Sequence, residues 1–179
     1  MDKITTVLLS KRELTPNQTV LITNLINTVY ENSEREFWPT DGSYSRTTID
    51  EISSYVEKEE LIVAKEANEI VGTVHVYPIN STTLGFGMLT VSLQHRKKGI
   101  GNVLLKAVEV FAKTNKFSKI QLELLKPVHF KHQEKEFLEK WYCKNNYELT
   151  ESISHENLYF KQATMLKFPC KFDIFTKTI

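Results

Sequence analysis

One stretch of the chain, from Leu84 to Lys113, constrains the fold more than any other. Its first part, Phe86 to Val91, is an apolar run of the length that is typical of a buried strand. Its last part places apolar residues at steps of three and four, which predicts an amphipathic helix that begins near Ile100. The segment between them, Gln94 to Asn102, is basic and contains two glycines. The stretch is therefore predicted to form a strand, a short charged loop and a long helix, in that order.

The charged loop has the properties of an anion-binding site. The first turn of a helix leaves backbone N–H groups without partners and carries a partial positive charge. Glycines at such a position let a phosphate group approach the backbone, and Gly99 and Gly101 stand there. Arg96, Lys97 and Lys98 add full positive charges around it. We therefore expect the loop to bind a ligand that contains a diphosphate.

Two common diphosphate motifs do not describe this loop. The nucleotide-triphosphate loop requires GxxxxGK followed by Ser or Thr, and no such pair follows Gly99 or Gly101. The dinucleotide pattern GxGxxG has its third glycine where this chain has Leu104. A protein that binds a nucleotide through either motif is therefore disfavoured. A basic turn that only begins a helix is the remaining alternative.

The pattern that does fit is Arg96-x-x-Gly99-x-Gly101, directly after a strand that ends in Leu89-Thr90-Val91. It resembles the Gln/Arg-x-x-Gly-x-Gly/Ala segment of the GNAT acetyltransferase superfamily, which binds the pyrophosphate of acetyl-CoA. The resemblance implies acetyl-CoA as the cofactor. In the family, the strand backbone pairs with the pantetheine arm, and by position the N–H of Val91 faces the thioester oxygen. The cofactor-binding residues that the resemblance implies are Leu89, Thr90, Val91, Arg96, Lys97, Lys98, Gly99, Ile100, Gly101 and Asn102.

The order of the elements along the chain agrees with this resemblance. The periodic runs predict the order β-α-α-β-β-β-α-β-α-β-β, with no internal repeat or linker. In the tail, β-rich runs are expected around Tyr147 to Ile153, Leu158 to Leu166 and Phe172 to Phe175. The resemblance implies the α/β (mixed α+β) GNAT acyl-CoA N-acyltransferase fold, a twisted mixed sheet with helices on both faces. We expect residues 1–179 to form a single domain of this type.

A second match concerns Tyr142, which lies near the end of a predicted helix and five residues before Tyr147. Family members often have a tyrosine at this distance from the aromatic residue that begins the next strand; here Asn146 replaces the usual glycine. In many relatives this tyrosine points at the cofactor sulfur, which implies that Tyr142 is the general acid. A phenol with a pKa near ~10 is protonated at neutral pH and can give a proton to a departing thiolate. A tyrosine that only packs at a helix end is the alternative.

The sequence offers more than one candidate for the general base. Some relatives have a glutamate early in the strand, six residues before the position of Val91, where this chain has Gly85. Glycine inside a strand usually marks a bulge or a close backbone approach. Glu123, on the neighbouring interior strand, is the expected substitute, because in the family the two strands separate around the thioester. His75 is a second candidate, although a structural role suits it better.

The irregular segment Glu34 to Thr48 is the expected acceptor site. Turn residues break its periodicity, and Phe37, Trp38 and Tyr44 supply large flat surfaces. Aromatic residues on loops often form binding surfaces, so these three are expected to wall an acceptor pocket. The alternative is that their rings fasten a long loop to the core.

Composition argues against several other classes of protein. Hydrophobic residues make up 41% of the 179 residues and charged residues 25%, which is ordinary for a globular protein. A formal net charge of +1 gives no global excess of basic residues, so the charge does not suggest a nucleic-acid partner. No apolar run approaches the ~20 residues of a membrane span, and the N-terminus does not resemble a signal peptide. The cysteine spacing suits a reducing cytoplasmic setting, and His129 and His132 lack a third ligand, so no metal is expected.

These observations predict an acetyl-CoA-dependent N-acetyltransferase in which a primary amine attacks the thioester directly. The near-neutral charge and the aromatic loop favour a small-molecule amine, with a protein lysine or N-terminus as the alternative acceptor. A domain that binds acyl-CoA as a non-catalytic sensor is a further alternative. The absent strand glutamate favours the sensor, whereas Tyr142 favours the enzyme. The sequence identifies neither the amine nor the preferred acyl group, and it leaves a homodimer open.

Overall fold

The computed structural model describes residues 3–12 and 14–179. Strand β1 (Ile4–Leu8) is followed by helices α1 (Pro16–Glu34) and α2 (Ile49–Glu57) and by strands β2 (Leu61–Glu66), β3 (Glu69–Pro78) and β4 (Thr83–Val91). After a 3-10 turn at Leu93–His95 come α3 (Ile100–Thr114), β5 (Lys119–Pro127) and α4 (Gln133–Lys144). The last elements are β6 (Glu148–Ser154), the short helices α5 (His155–Leu158) and α6 (Phe160–Ala163), and β7 (Cys170–Thr178).

The structure confirms the predicted order of the strands and long helices, with one difference in the tail. The prediction of a strand around Leu158 to Leu166 is wrong, because this segment contains the end of α5 and all of α6. Aromatic residues favour strands only where a sheet face holds them, and here the Phe160 side chain is 73% exposed. Its aromatic composition therefore misled the prediction.

Local sequence features determine where the first two helices begin. The Thr15 hydroxyl accepts a hydrogen bond from the Gln18 N–H, and the Gln18 side chain accepts one from the Thr15 N–H. Thr48 and Glu51 make the same reciprocal pair at the start of α2. Such capping boxes satisfy N–H groups that the first turn leaves without partners. Both helices therefore begin where the sequence predicts, and residues 35–48 between them form a loop.

The seven strands form one mixed sheet in the order β1-β2-β3-β4-β5-β7-β6. All neighbouring strands are antiparallel except β4 and β5, which are parallel. The β4–β5 ladder is short, since it pairs only Thr83 to Phe86 with Lys119 to Leu122. Beyond these pairs the two strands no longer bond to each other, so the sheet opens into a cleft at its middle.

Helices cover both faces of the sheet, as the fold prediction requires. On one face, Leu104 and Val108 of α3 and Tyr142 of α4 pack in the larger core. On the other face, Ile22 of α1 and Ile52 of α2 pack in a second core with residues of β2. None of the helices in the described part of the chain is both long enough and apolar enough to cross a membrane.

Candidate active site

The opening between β4 and β5 is a cleft of about 1100 Å³. We call the part lined by Arg96, Lys97 and residues 99–102 the loop end. We call the part lined by Tyr30, Trp38, Tyr44, Tyr55 and Tyr159 the aromatic end. In residues 3–12 and 14–179, no group of three or more His, Cys, Asp or Glu side chains is placed to hold a metal ion.

The loop end has the backbone geometry that an anion site needs. Gly99 caps α3 in the left-handed conformation, with φ of +81°, which favours glycine. Its carbonyl accepts hydrogen bonds from the N–H groups of Asn102 and Val103, at 3.0 and 3.2 Å. The N–H groups of Ile100 and Gly101 come before the first intrahelical bond and are therefore free for a ligand. Both residues line the cleft.

Gly101 is closely packed in addition to its place in the loop. A Cβ atom at this position would lie 3.1 Å from Cζ2 of Trp141. The Trp141 indole N–H also donates a hydrogen bond of 2.9 Å to Oδ1 of Asn102. Trp141 therefore fastens α4 to the start of α3. Trp141 was not among the residues predicted for the site, because its contacts with Gly101 and Asn102 join distant parts of the chain.

The three cations of the loop have different surroundings. Arg96 lines the cleft and pairs with Glu134 at 3.3 Å. Lys98 is not part of the lining, and its ammonium group lies 3.5 Å from Glu66. Lys97 lines the cleft, and none of the ion pairs between described residues involves it. Lys97 is therefore the loop cation whose charge is most available to a bound anion.

Strand β4 presents a bulge and an unpaired edge to the cleft. Met88 has φ of +48°, and the register with β3 shifts between Thr73 and His75, which identifies the bulge. Leu89 and Val91 line the cleft, whereas Thr90 is 1% exposed and its hydroxyl donates to the Met88 carbonyl at 3.0 Å. Because this part of β4 has no β5 partner, its backbone groups on that edge can bond to an extended ligand.

Gly85 marks a close approach, as the sequence suggested, whereas the bulge lies three residues later. A Cβ atom on Gly85 would stand 2.5 Å from the Tyr77 ring. Tyr77 lines the cleft and fills the space beside this position. A glutamate there would have no room, so the structure explains why the base of some relatives is absent.

Tyr142 is fixed by its neighbours but keeps its hydroxyl without a protein partner. Its ring packs against those of Phe86, Trp141, Tyr147 and Phe175, with centroids 4.9 to 6.3 Å away. The Tyr147 N–H donates to the Tyr142 carbonyl at 3.1 Å, which accounts for the five-residue spacing. Tyr142 lines the cleft, and no hydrogen bond between described residues uses its hydroxyl. Burial raises its pKa, so the hydroxyl stays protonated at neutral pH.

The two candidate bases both line the cleft but differ in how they are held. Glu123 directly follows the last β4–β5 pair and accepts a hydrogen bond of 2.9 Å from the Tyr159 hydroxyl. His75 lies 3.3 Å from a Glu60 oxygen and stacks on Tyr55 at 3.8 Å between ring centroids. Burial, the largest effect on His75, lowers its pKa. Glu123 is therefore at the opening of the sheet, whereas His75 is part of a packed stack.

The structure corrects the prediction for one of the three loop aromatics. Trp38 and Tyr44 line the cleft and stack with ring centroids 3.9 Å apart and planes 8° apart. Phe37 is fully buried and does not line it. Its ring instead contacts Phe168 and His132, each at 5.1 Å. Phe37 thus fastens the loop to the core, where it packs in one buried cluster with Leu125 and Cys170.

The aromatic end also contains charged residues that sequence reasoning missed. The Lys135 ammonium lies 2.5 Å from Oε1 of Glu34, and both side chains are nearly fully buried. The Trp38 indole N–H donates to the other Glu34 oxygen at 2.9 Å. Arg46 lies over the Tyr30 ring, 5.0 Å from its centroid. Glu34 and Lys135 are 101 residues apart, so no local spacing could have connected them.

Comparison with known proteins gives a family match and a fold match. The model of the acetyltransferase (GNAT) family matches residues 24–134, which is more than half of the chain. An aminoglycoside 6'-N-acetyltransferase complexed with coenzyme A has a TM-score of 0.73 at 15% identity, over 97% of this chain and 96% of that one.

Two further structures are similar over nearly all of their length. The Salmonella typhimurium protein yncA, solved with its cofactor acetyl-CoA, has a TM-score of 0.69 at 12% identity, over 99% of this chain and 94% of that one. A GNAT family acetyltransferase from Elizabethkingia anophelis with acetyl-CoA bound has a TM-score of 0.63 at 18% identity, over 100% of both chains. At these identities the likeness shows the fold.

Proposed function

Because the chain belongs to the GNAT family of acetyltransferases, we propose that it transfers the acetyl group of acetyl-CoA to a primary amine of a small molecule. The observation that carries the proposal is the single cleft that contains the loop end, Tyr142, Glu123 and the aromatic end. A diphosphate site and an aromatic pocket in one cavity suit a reaction between a nucleotide thioester and a compact acceptor. The aromatic end is walled by side chains, which suits a small amine better than a protein tail.

The residues present at the loop end fit the cofactor. No atom lies within 4 Å of where a Gly99 Cβ would stand, so a phosphate group can approach the backbone there. The N–H groups of Ile100 and Gly101, with the charges of Arg96 and Lys97, would hold the diphosphate. The edge groups of Leu89 to Val91 would hold the pantetheine amides. When bound, acetyl-CoA supplies an activated acetyl thioester.

Three groups of the chain would handle the charges and protons of the transfer. The Val91 N–H is the proposed donor to the oxygen that becomes negative. Glu123 would accept the proton of the attacking amine, and its bond to Tyr159 fixes its orientation. Tyr142 would give its hydroxyl proton to the sulfur, since burial keeps that hydroxyl protonated.

A thiol-release assay with a panel of amines tests the function. We expect free thiol to appear from acetyl-CoA only when an amine is present, together with acetylated amine detected by mass spectrometry. Binding of acetyl-CoA without amine-dependent release would instead favour a sensor. Faster transfer to lysine-containing or N-terminal peptides than to every small amine would favour a protein acetyltransferase.

Lys97→Glu is expected to weaken acetyl-CoA binding by about 10-fold or more, because it replaces an available positive charge at the diphosphate site with a negative one. Titration calorimetry at low and high salt measures the effect, and the difference from wild type should shrink as salt rises. Lys113→Glu, the same change near the far end of α3, is the control and should bind normally. Equal affinity for Lys97→Glu and wild type would exclude this loop as the diphosphate site.

Glu123→Gln is expected to lower turnover by about 100-fold, because the amide cannot accept a proton although its oxygen can still bond to Tyr159. His75→Gln is the matched variant on the other candidate base, and its turnover should stay within about threefold of wild type. Single-turnover kinetics at several pH values compares the two. A large loss in His75→Gln with none in Glu123→Gln would reverse the assignment.

A further inference from the structure

Arg46 is a half-buried cation at the aromatic end of the cleft. It lines the cleft, and no ion pair between described residues involves it. Its guanidinium lies over the ring of Tyr30, with Tyr44 and Glu34 in its electrostatic surroundings. A ring face and neutral phenol hydroxyls stabilise a cation without neutralising it. Arginine cannot lose its proton in a protein, so the positive charge persists at every physiological pH.

The nearby carboxylates are already engaged by other groups. Each Glu34 oxygen has a partner, Lys135 at 2.5 Å and the Trp38 indole at 2.9 Å. Glu51 accepts hydrogen bonds from the Thr47 hydroxyl at 3.0 Å and the Thr48 N–H at 3.1 Å. The opposite charges of Glu34 and Lys135 cancel each other. Arg46 therefore has no salt-bridge partner among the described residues, in a part of the cleft that is walled by aromatic rings.

We infer that the acceptor carries a carboxylate in addition to its amine, and that Arg46 binds this carboxylate. The planar guanidinium fork matches a carboxylate through two parallel hydrogen bonds, which a lone ammonium cannot reproduce. Glu123 lies in the same cleft and provides a negative charge for the amine end of the acceptor. The acceptor class is thus an amino acid or a similar amino carboxylate. This inference rests on the proposed function, because it specifies the compound that the same site acetylates.

Matched pairs of amines test the inference in wild-type protein. We would compare L-lysine with cadaverine, 4-aminobutyrate with n-butylamine, and L-alanine with L-alaninamide in the thiol-release assay. We expect the carboxylate member of the best pair to have a kcat/KM at least about 10-fold higher, the scale of charge-assisted hydrogen bonds. Equal rates within every pair, or a preference for the members without a carboxylate, would overturn the inference. A preference for O-phosphoethanolamine over every carboxylate would overturn it in favour of a phosphate.

Variants of Arg46 then test whether this residue causes the preference for acceptors with a carboxylate. Arg46→Gln should raise KM for the carboxylate acceptor by about 10-fold or more, while KM for acetyl-CoA and for the matched amine without a carboxylate stays unchanged. Arg46→Lys keeps the positive charge but lacks the guanidinium fork, so its KM for the carboxylate acceptor should lie between those of wild type and Arg46→Gln. It replaces Arg46→Gln if that variant does not fold. Arg35→Gln removes an exposed arginine outside the cleft and is the control. A preference that survives in both Arg46 variants would overturn the assignment.

A binding measurement separates failure of this inference from failure of the proposed function. At least one of L-lysine, 4-aminobutyrate and L-alanine should raise the melting temperature of the wild-type protein but not that of Arg46→Gln. If no amine releases thiol in wild type, the proposed function fails, and the melting shift alone decides whether Arg46 binds a carboxylate. If amines do release thiol but carboxylates produce neither a preference nor a shift, only the inference about Arg46 fails.

Discussion

Tyr142→Phe is expected to lower turnover by about 100-fold while stability and acetyl-CoA affinity hardly change. The phenylalanine ring keeps the packing against Phe86, Tyr147 and Phe175. The lost hydroxyl bonds to no described residue, so its removal leaves no partner unsatisfied. A group that acts only as negative charge develops on sulfur affects kcat and leaves the binding of acetyl-CoA unchanged.

Tyr147 provides a matched control for this experiment. It is 1% exposed, its hydroxyl has no hydrogen-bond partner among the described residues, and it does not line the cleft. Tyr147→Phe should therefore turn over at the wild-type rate and be at least as stable. Single-turnover kinetics under conditions where chemistry is limiting should be used for both variants. If Tyr142→Phe then reacts as fast as wild type, the proton comes from another group and Tyr142 only packs.

Lys135→Met is expected to lower the free energy of unfolding by about 3–5 kcal/mol, the largest loss of stability that we predict. Lys135 and Glu34 are both nearly fully buried, and their attraction offsets the cost of removing each charge from water. Without Lys135 the Glu34 carboxylate keeps the indole N–H of Trp38 but loses its bonded cation. Urea unfolding of the folded variant measures the loss.

Two controls distinguish the buried pair from ion pairs in general. The double variant Glu34→Met with Lys135→Met removes both charges and should be much closer to wild type than Lys135→Met alone. Lys11→Met breaks the exposed pair between Lys11 and Glu57, which is 2.6 Å long, and should leave stability unchanged. A double variant as unstable as the single one would mean that the loss comes from packing.

The same pair makes stability depend on pH in a defined direction. Burial raises the pKa of Glu34, but Lys135 and the Trp38 indole outweigh it, and the net pKa lies below its ordinary value of 4.5. A lowered carboxyl pKa contributes stability that is complete above the ordinary value and is lost as pH falls through the folded value. Wild type should therefore lose stability below about pH 4.5 more steeply than the double variant.

How much the sequence predicted depends on how far apart the interacting residues are. The capped helices, the alternating strands and the strand–loop–helix stretch are determined by neighbours in the chain, and the structure agrees with them. Contacts between distant segments produce no local pattern in the sequence. The contact of Trp141 with Gly101 and the ion pair of Lys135 with Glu34 were therefore not predicted. Phe37 and Trp38 are adjacent, and only the tertiary structure shows which one faces the cleft. The segment around Phe160 has strand-like composition without a sheet face to hold it.

The contact between Trp141 and Gly101 affects how sequence variation in the loop should be interpreted. A glycine in a phosphate loop is commonly attributed to its ligand, yet any side chain here would meet the indole ring at 3.1 Å. Gly101 therefore leaves room for two neighbours, an anion at the start of α3 and Trp141 of α4. A relative with a small residue in place of Trp141 could tolerate alanine or serine at this position without losing its cofactor. Variation at the two sites should consequently be read jointly, as one compensating pair.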